Sequence, residues 1–133
     1  MSKILIVEDN PDNMFLTVML LQSAGHTVLS ATDAEVGLTL ARAELPDLIL
    51  MDIQLPGMDG LEAAALLKRD NATRGIPVIA LTALAMKGDE ERIRAAGCDG
   101  YISKPMGIHQ FLTTVAAHLA VSSHGGGVIV IPT

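Results

Sequence analysis

The sequence predicts an α/β fold in which one parallel sheet of five strands is covered by helices on both faces. Two observations carry that prediction. Short runs rich in leucine and β-branched residues fall at 3–7, 27–31, 47–51, 77–81 and 100–103, the length and composition of buried strands. Each run is followed by a segment of helical length, and strict strand-helix alternation gives parallel strands joined by helical crossovers. With 133 residues to place, the whole pattern belongs to one domain with a single core. Right-handed crossovers in so short a chain favour the doubly wound, flavodoxin-like (βα)5 order 2-1-3-4-5 over other sheet orders.

Each helix carries its own punctuation. Asn10 followed by Pro11 reads as an N-cap with proline at the first helical position, and Gly25 closes that helix. Asp33 is placed to cap the second helix and Asp59 the third, while Gly97 ends the fourth, expected over 85–96. In the fifth, Ile108, Phe111, Leu112, Val115 and Leu119 recur at helical spacing and make one apolar stripe for a sheet. A domain over 1–120 is therefore expected, followed by a flexible, glycine-rich tail or linker over 121–133. Within that tail, Val128, Ile129, Val130 and Ile131 read either as disordered or as an added strand.

Composition excludes several classes of function. The net charge is −6 and the basic residues are scattered, so the chain lacks the basic face that direct nucleic-acid binding needs. Its apolar runs are far shorter than the roughly 18 residues of a membrane span, and the first strand meets Glu8 and Asp9 at once. A cytoplasmic protein without membrane attachment is the expectation. The single cysteine, Cys98, has no disulfide partner within the chain and no metal-ligand spacing, and reads as a small half-buried residue. The histidines at 26, 109, 118 and 124 show no spacing that converges on the strand ends.

Open parallel sheets bind ligands outside the carboxyl ends of their strands, where the strand order reverses, here between strands one and three. Glu8 and Asp9 follow the first strand, Asp52 ends the third, Thr82 follows the fourth and Lys104 the fifth. One acid at a strand end is ordinary loop chemistry or a helix cap. Three carboxylates, a hydroxyl and an amine on one rim are a different matter. Crowded carboxylates repel unless a cation sits among them, and hard oxygen donors with water suit Mg²⁺. Asp9 and Asp52 are assigned as direct ligands and Glu8 as a ligand through water. An ionised Asp52 beside a metal and Lys104 can attack phosphorus and form an aspartyl phosphate. The metal and Lys104 would neutralise phosphoryl oxygens as charge develops, and Thr82 would donate its hydroxyl to another.

With these residues in place, the chain resembles the CheY-like receiver domains of bacterial response regulators from residue 3 to about 120. The resemblance rests on Ile4-Leu5-Ile6-Val7-Glu8-Asp9-Asn10, on the run from Asp47 through Asp52 to Pro56-Gly57-Met58-Asp59-Gly60, on Ala80-Leu81-Thr82-Ala83, and on Tyr101-Ile102-Ser103-Lys104-Pro105. Residues 85–94, with Gly97-Cys98 and Tyr101 to Pro105, are most similar to the DivK-like stand-alone cell-cycle receivers; receivers fused to hybrid histidine kinases carry related segments. The resemblance implies a two-component phosphoacceptor that takes a phosphoryl group from a phosphohistidine onto Asp52. It implies the backbone carbonyl of Gln54 as a further Mg²⁺ ligand and a cis peptide at Lys104-Pro105. It also implies a switch in which Thr82 moves toward the phosphate and Tyr101 turns inward, with Ala83 leaving room. The partners implied are a histidine kinase or histidine phosphotransfer protein and a downstream protein target. Such a protein catalyses its own phosphorylation and dephosphorylation and is not an enzyme of ordinary turnover.

Two segments bear on partners. Seven of the eight residues from 14 to 21 are apolar, more than a helix on a sheet can bury, so part of that helix is expected at the surface. It reads as surplus hydrophobicity, a dimer contact or, as the resemblance favours, a docking face with Met14, Phe15 and Val18 as candidates. The fourth helix is mostly charged, which suits a solvated face and also an element held weakly enough to shift, and the output face is expected on helix 4, strand 5 and helix 5. The competing readings are the C-terminal receiver of a hybrid sensor histidine kinase, an aspartyl-phosphate phosphatase and a flavin-binding protein. The phosphatase would want a second aspartate where Gln54 stands. Glu8 and Asp9 would repel a flavin phosphate.

Overall fold

The computed structural model describes residues 2–82, 87–103 and 107–123. In chain order the elements are β1 (Lys3–Val7), α1 (Pro11–Ser23), β2 (Thr27–Ala31), α2 (Ala34–Glu44), β3 (Leu48–Asp52), α3 (Gly60–Arg69), β4 (Val78–Thr82), α4 (Lys87–Ala95), β5 (Gly100–Ser103) and α5 (Ile108–Ser123). All neighbouring strands pair in parallel, in the order β2-β1-β3-β4-β5, the flavodoxin-like arrangement predicted from the sequence.

Side chains alternate across a strand, so each central strand feeds two cores. Leu5, Val7, Ile49, Met51 and Val78 pack with Leu38, Ala63, Ala64 and Leu67 on the side covered by α2 and α3. Ile4, Ile6, Leu48, Leu50, Ile79 and Leu81 pack with Leu21, Phe111, Val115 and Leu119 on the side covered by α1 and α5. A smaller cluster of Ile53, Leu61, Ala80 and Ile93 holds α4. Burial on both faces is why the central strands are continuous apolar runs and do not alternate with polar residues.

The helix starts follow the expected caps. Asn10 accepts from the Asn13 amide at 3.0 Å, Asp33 from Val36 at 2.8 Å and Asp59 from Leu61 at 2.7 Å, each satisfying an otherwise unpaired donor of a first turn. Gly25 and Gly97 both take φ +92°, the left-handed conformation that ends α1 and the turn after α4.

Two strand boundaries differ from expectation by one residue. The runs at 47–51 and 77–81 become Leu48–Asp52 and Val78–Thr82. Asp47 instead anchors the entry to β3: its amide donates to the Lys3 carbonyl at 2.7 Å and its carboxylate accepts the Lys3 amide at 2.8 Å. Asp52 and Thr82 remain in the ladder because Asp52 pairs with Leu81 and Thr82 with Ser103. The two polar residues of the rim are thus strand residues held by neighbouring backbone. Helix α5 runs to Ser123, taking in the first three residues assigned above to the tail. Residues 124–133, Lys104, Pro105 and the expected helical start at 85–86 lie outside the described residues.

Candidate functional site

The register of β1 on β3 builds the site. The last ladder pair is Val7 with Met51, so the next residues on the two strands, Glu8 and Asp52, come alongside each other. Asp9 follows immediately. One carboxylate oxygen from each of Glu8, Asp9 and Asp52 lies within 4.8 Å of the others. Glu8 is 2% and Asp52 4% exposed, whereas Asp9 faces solvent. Two carboxylates removed from water this close together repel, and an all-oxygen cluster with one open side has the chemistry of a hard divalent cation site.

Backbone fixes the direction of these acids. The Gln54 amide donates to Asp52 Oδ1 at 2.8 Å, and the Asn10 amide to Glu8 Oε2 at 3.4 Å. The chain just past Asp52 is tied to β4 by the Ile53 amide, which donates to the Leu81 carbonyl at 3.1 Å. Thr82, one residue beyond the Asp52 to Leu81 pair, is fully buried at the end of β4. Opposite the Thr82 end of β4 stands β5, whose Tyr101 is 37% exposed and lines a groove of about 850 Å³ between α4, β5 and α5.

The structure therefore brings together Glu8, Asp9 and Asp52, with Gln54 and Thr82 adjacent through the backbone, while Lys104 and Pro105 lie outside the described residues. The docking candidates of α1 separate. Met14 and Val18 are half-buried and pack against the α1/α5 core, whereas Phe15 is 68% exposed. Its exposed apolar neighbours are Leu16 and Met19, which the sequence analysis did not single out. Spacing on a helix of 3.6 residues per turn accounts for the division: 14, 18 and 21 share one face, 15, 16 and 19 another.

A model of the response regulator receiver domain matches residues 4–116. The chain belongs to the response regulator receiver family. Among its relatives, the polar-differentiation response regulator DivK of Brucella anthropi is 51% identical over 116 residues, spanning 87% of this receiver and 94% of that protein. DivK of Brucella melitensis matches over the same shares of both chains, again at 51% identity.

Solved structures agree. The receiver domain of a sensor histidine kinase from Pseudomonas aeruginosa PAO1, which has magnesium in its active-site cleft, superposes with a TM-score of 0.84 at 34% identity, covering 90% of this receiver and 98% of that chain. A CheY-like receiver from Methanospirillum hungatei superposes with a TM-score of 0.87 at 29% identity, covering 95% and 99%. The receiver's acidic donor set suits the same kind of ion. Among the described residues, no helix is long and apolar enough to cross a membrane.

Proposed function

We propose that this receiver accepts a phosphoryl group from a phosphohistidine on Asp52 and passes the signal on by changing which protein it binds. The supporting observation is the meeting of the Glu8, Asp9 and Asp52 carboxylates within 4.8 Å at the ends of β1 and β3, beside buried Thr82. Asp9, Asp52 and the Gln54 carbonyl would hold Mg²⁺, with Glu8 acting through water. Bound there, Mg²⁺ would neutralise charge on the phosphoryl oxygens. The Asp52 carboxylate attacks phosphorus, a P–O bond forms, and the P–N bond breaks as the imidazole leaves and takes up a proton. The Gln54 amide already holds Asp52 Oδ1, which limits the carboxylate's rotation and aims its other oxygen. Lys104 is assigned to the phosphoryl oxygens and Thr82 to the switch.

Signal output is assigned to Tyr101 and the face of α4, β5 and α5. Of the described side chains in α4, only Ile93 is buried, so the helix is held by one apolar anchor and its own ion pairs, such as Arg94 to Glu90 at 2.9 Å. An element fastened so lightly is suited to shift when Thr82 and Tyr101 rearrange. The same chemistry serves a stand-alone receiver or one joined to a histidine kinase. Incubation with acetyl phosphate and Mg²⁺ is expected to add one alkali-labile phosphoryl group, read by intact mass. Asp52→Asn is expected to remain unlabelled; full labelling of that variant would overturn the assignment.

A further inference from the structure

Gly60, the first residue of α3, has a negative φ, so its lack of a side chain is not required by backbone conformation. The reason lies in what it touches. A Cβ at this position would overlap the Asp52 carbonyl oxygen, and would stand 2.7 Å from Ile53 Cα and 2.9 Å from the Asp52 carbonyl carbon. Every one of these atoms is backbone, so no side-chain rotation can relieve the contact. The start of α3 therefore rests directly on the peptide that joins the phosphoacceptor to Ile53.

That peptide has little freedom to retreat. Behind it, the Ile53 amide is bonded to the Leu81 carbonyl of β4 at 3.1 Å, and Asp52 is paired with Leu81 in the ladder. In front, α3 is seated by its cap, Asp59 Oδ1 accepting the Leu61 amide at 2.7 Å, and by buried Leu61, Ala63 and Ala64. The segment from 53 to 59, which carries Gln54, spans these two fixed ends. In the sequence Gly60 is simply the last residue of the Pro56-Gly57-Met58-Asp59-Gly60 run.

We infer that Gly60 is a positioning residue for the metal and phosphoacceptor site: its bare Cα lets α3 clamp the Asp52–Ile53 peptide, and so sets the Asp52 carboxylate and the Gln54 backbone relative to each other. The inference rests on the function proposed above. Adding one methyl group forces either the Asp52 peptide or the start of α3 to move. Both outcomes alter the ligand set, and octahedral coordination at roughly 2.0–2.1 Å tolerates little displacement. A misplacement of about 1 Å in a reacting group costs on the order of a hundredfold in rate.

The test compares Gly60→Ala with Gly100→Ala. In the second variant the new Cβ would crowd His118 Nε2 at 2.9 Å, at the start of β5. Both variants are expected to melt below wild type. Below both melting transitions, Gly60→Ala is expected to bind Mg²⁺ at least tenfold more weakly by calorimetric titration, and to label with acetyl phosphate at least tenfold more slowly. Gly100→Ala is expected to keep wild-type Mg²⁺ affinity. Wild-type Mg²⁺ affinity in folded Gly60→Ala, or equal losses in both variants, would overturn the inference. Should Gly60→Ala not fold, Asp59→Ala decides, because it unseats the same helix start without adding atoms. It is expected to weaken Mg²⁺ binding severalfold, and unchanged affinity would sink the inference. Failure of the wild-type chain to bind Mg²⁺ or to label at Asp52 would instead overturn the proposed function.

Discussion

Single side chains join this receiver's loops at the end of the sheet opposite the acidic cluster. Lys68 of α3 donates to the Ile76 carbonyl at 2.8 Å, the Arg74 carbonyl at 3.3 Å and the Asp99 carboxylate at 2.8 Å. Asp99 in turn accepts the Val78 amide at 2.8 Å, so one ammonium group ties α3 to the entries of β4 and β5. Lys68→Met keeps the aliphatic stem and removes these bonds. Charged hydrogen bonds contribute about 1.5–3 kcal/mol, so a loss of about 2 kcal/mol is expected in urea unfolding. Labelling of Asp52, at the far end of the strands, should be unchanged. Cys98 stands next to this junction. Burial pushes its thiol up to about 11, the neighbouring Asp99 charge adding to the rise and Lys68 opposing it. A thiol that prefers its neutral form in the fold contributes stability below its unfolded pKa, and that contribution is lost as pH rises through the folded value. Between about pH 9 and 11, the melting temperature of wild type should therefore fall faster than that of Cys98→Ser. Parallel curves would show that the thiol does not titrate differently in the two states.

At the scale of elements, the helix caps were legible because their signals are local, a capping side chain two or three residues ahead of a donor or a glycine where the chain must turn left-handed, and the sheet order because right-handed crossovers leave few choices. The exact bounds of β3 and β4 were not, because Asp52 and Thr82 are polar residues closing apolar runs. They stay in the sheet through the registers of Leu81 and Ser103, and register is a property of two strands. The acidic cluster was legible since parallel strands of equal length bring their ends together. Gly60 was not, because its constraint is contact with a backbone eight residues earlier. Helix α1 shows the same limit. Its apolar run was plain, but only packing divides it into Met14 and Val18 against the core and Phe15, Leu16 and Met19 in solvent. That division gives a test of α1 as the docking face. Phe15→Glu is expected to leave acetyl phosphate labelling and melting temperature near wild type and to slow transfer from a phosphorylated histidine partner at least tenfold. Met14→Glu should instead lower stability by about 2 kcal/mol, since it buries a charge. Equal transfer rates for wild type and Phe15→Glu would remove α1 from the interface.

For the whole molecule, folding and the metal binding proposed for the rim would be linked. Closing the sheet brings Glu8 and Asp52 together out of water with Asp9 beside them, and carboxylates gathered this closely favour a cation among them. A divalent cation that requires this arrangement binds the folded chain and not the unfolded one, and therefore stabilises it by mass action. At a Mg²⁺ concentration one hundred times the dissociation constant the gain is about 2.7 kcal/mol. For a domain of this length, that corresponds to a rise in melting temperature on the order of 10 °C. Ca²⁺, which prefers more ligands at longer distances, should give a smaller rise at equal concentration. Asp9→Ala deletes the exposed acid without opening the core and should abolish most of the Mg²⁺ increment, while its melting temperature without metal should match or exceed that of wild type. That second comparison separates a ligand from a structural acid: an aspartate that held the fold together would lower stability in the absence of metal too. The same Mg²⁺ increment in Asp9→Ala and wild type would place the ion elsewhere on the receiver.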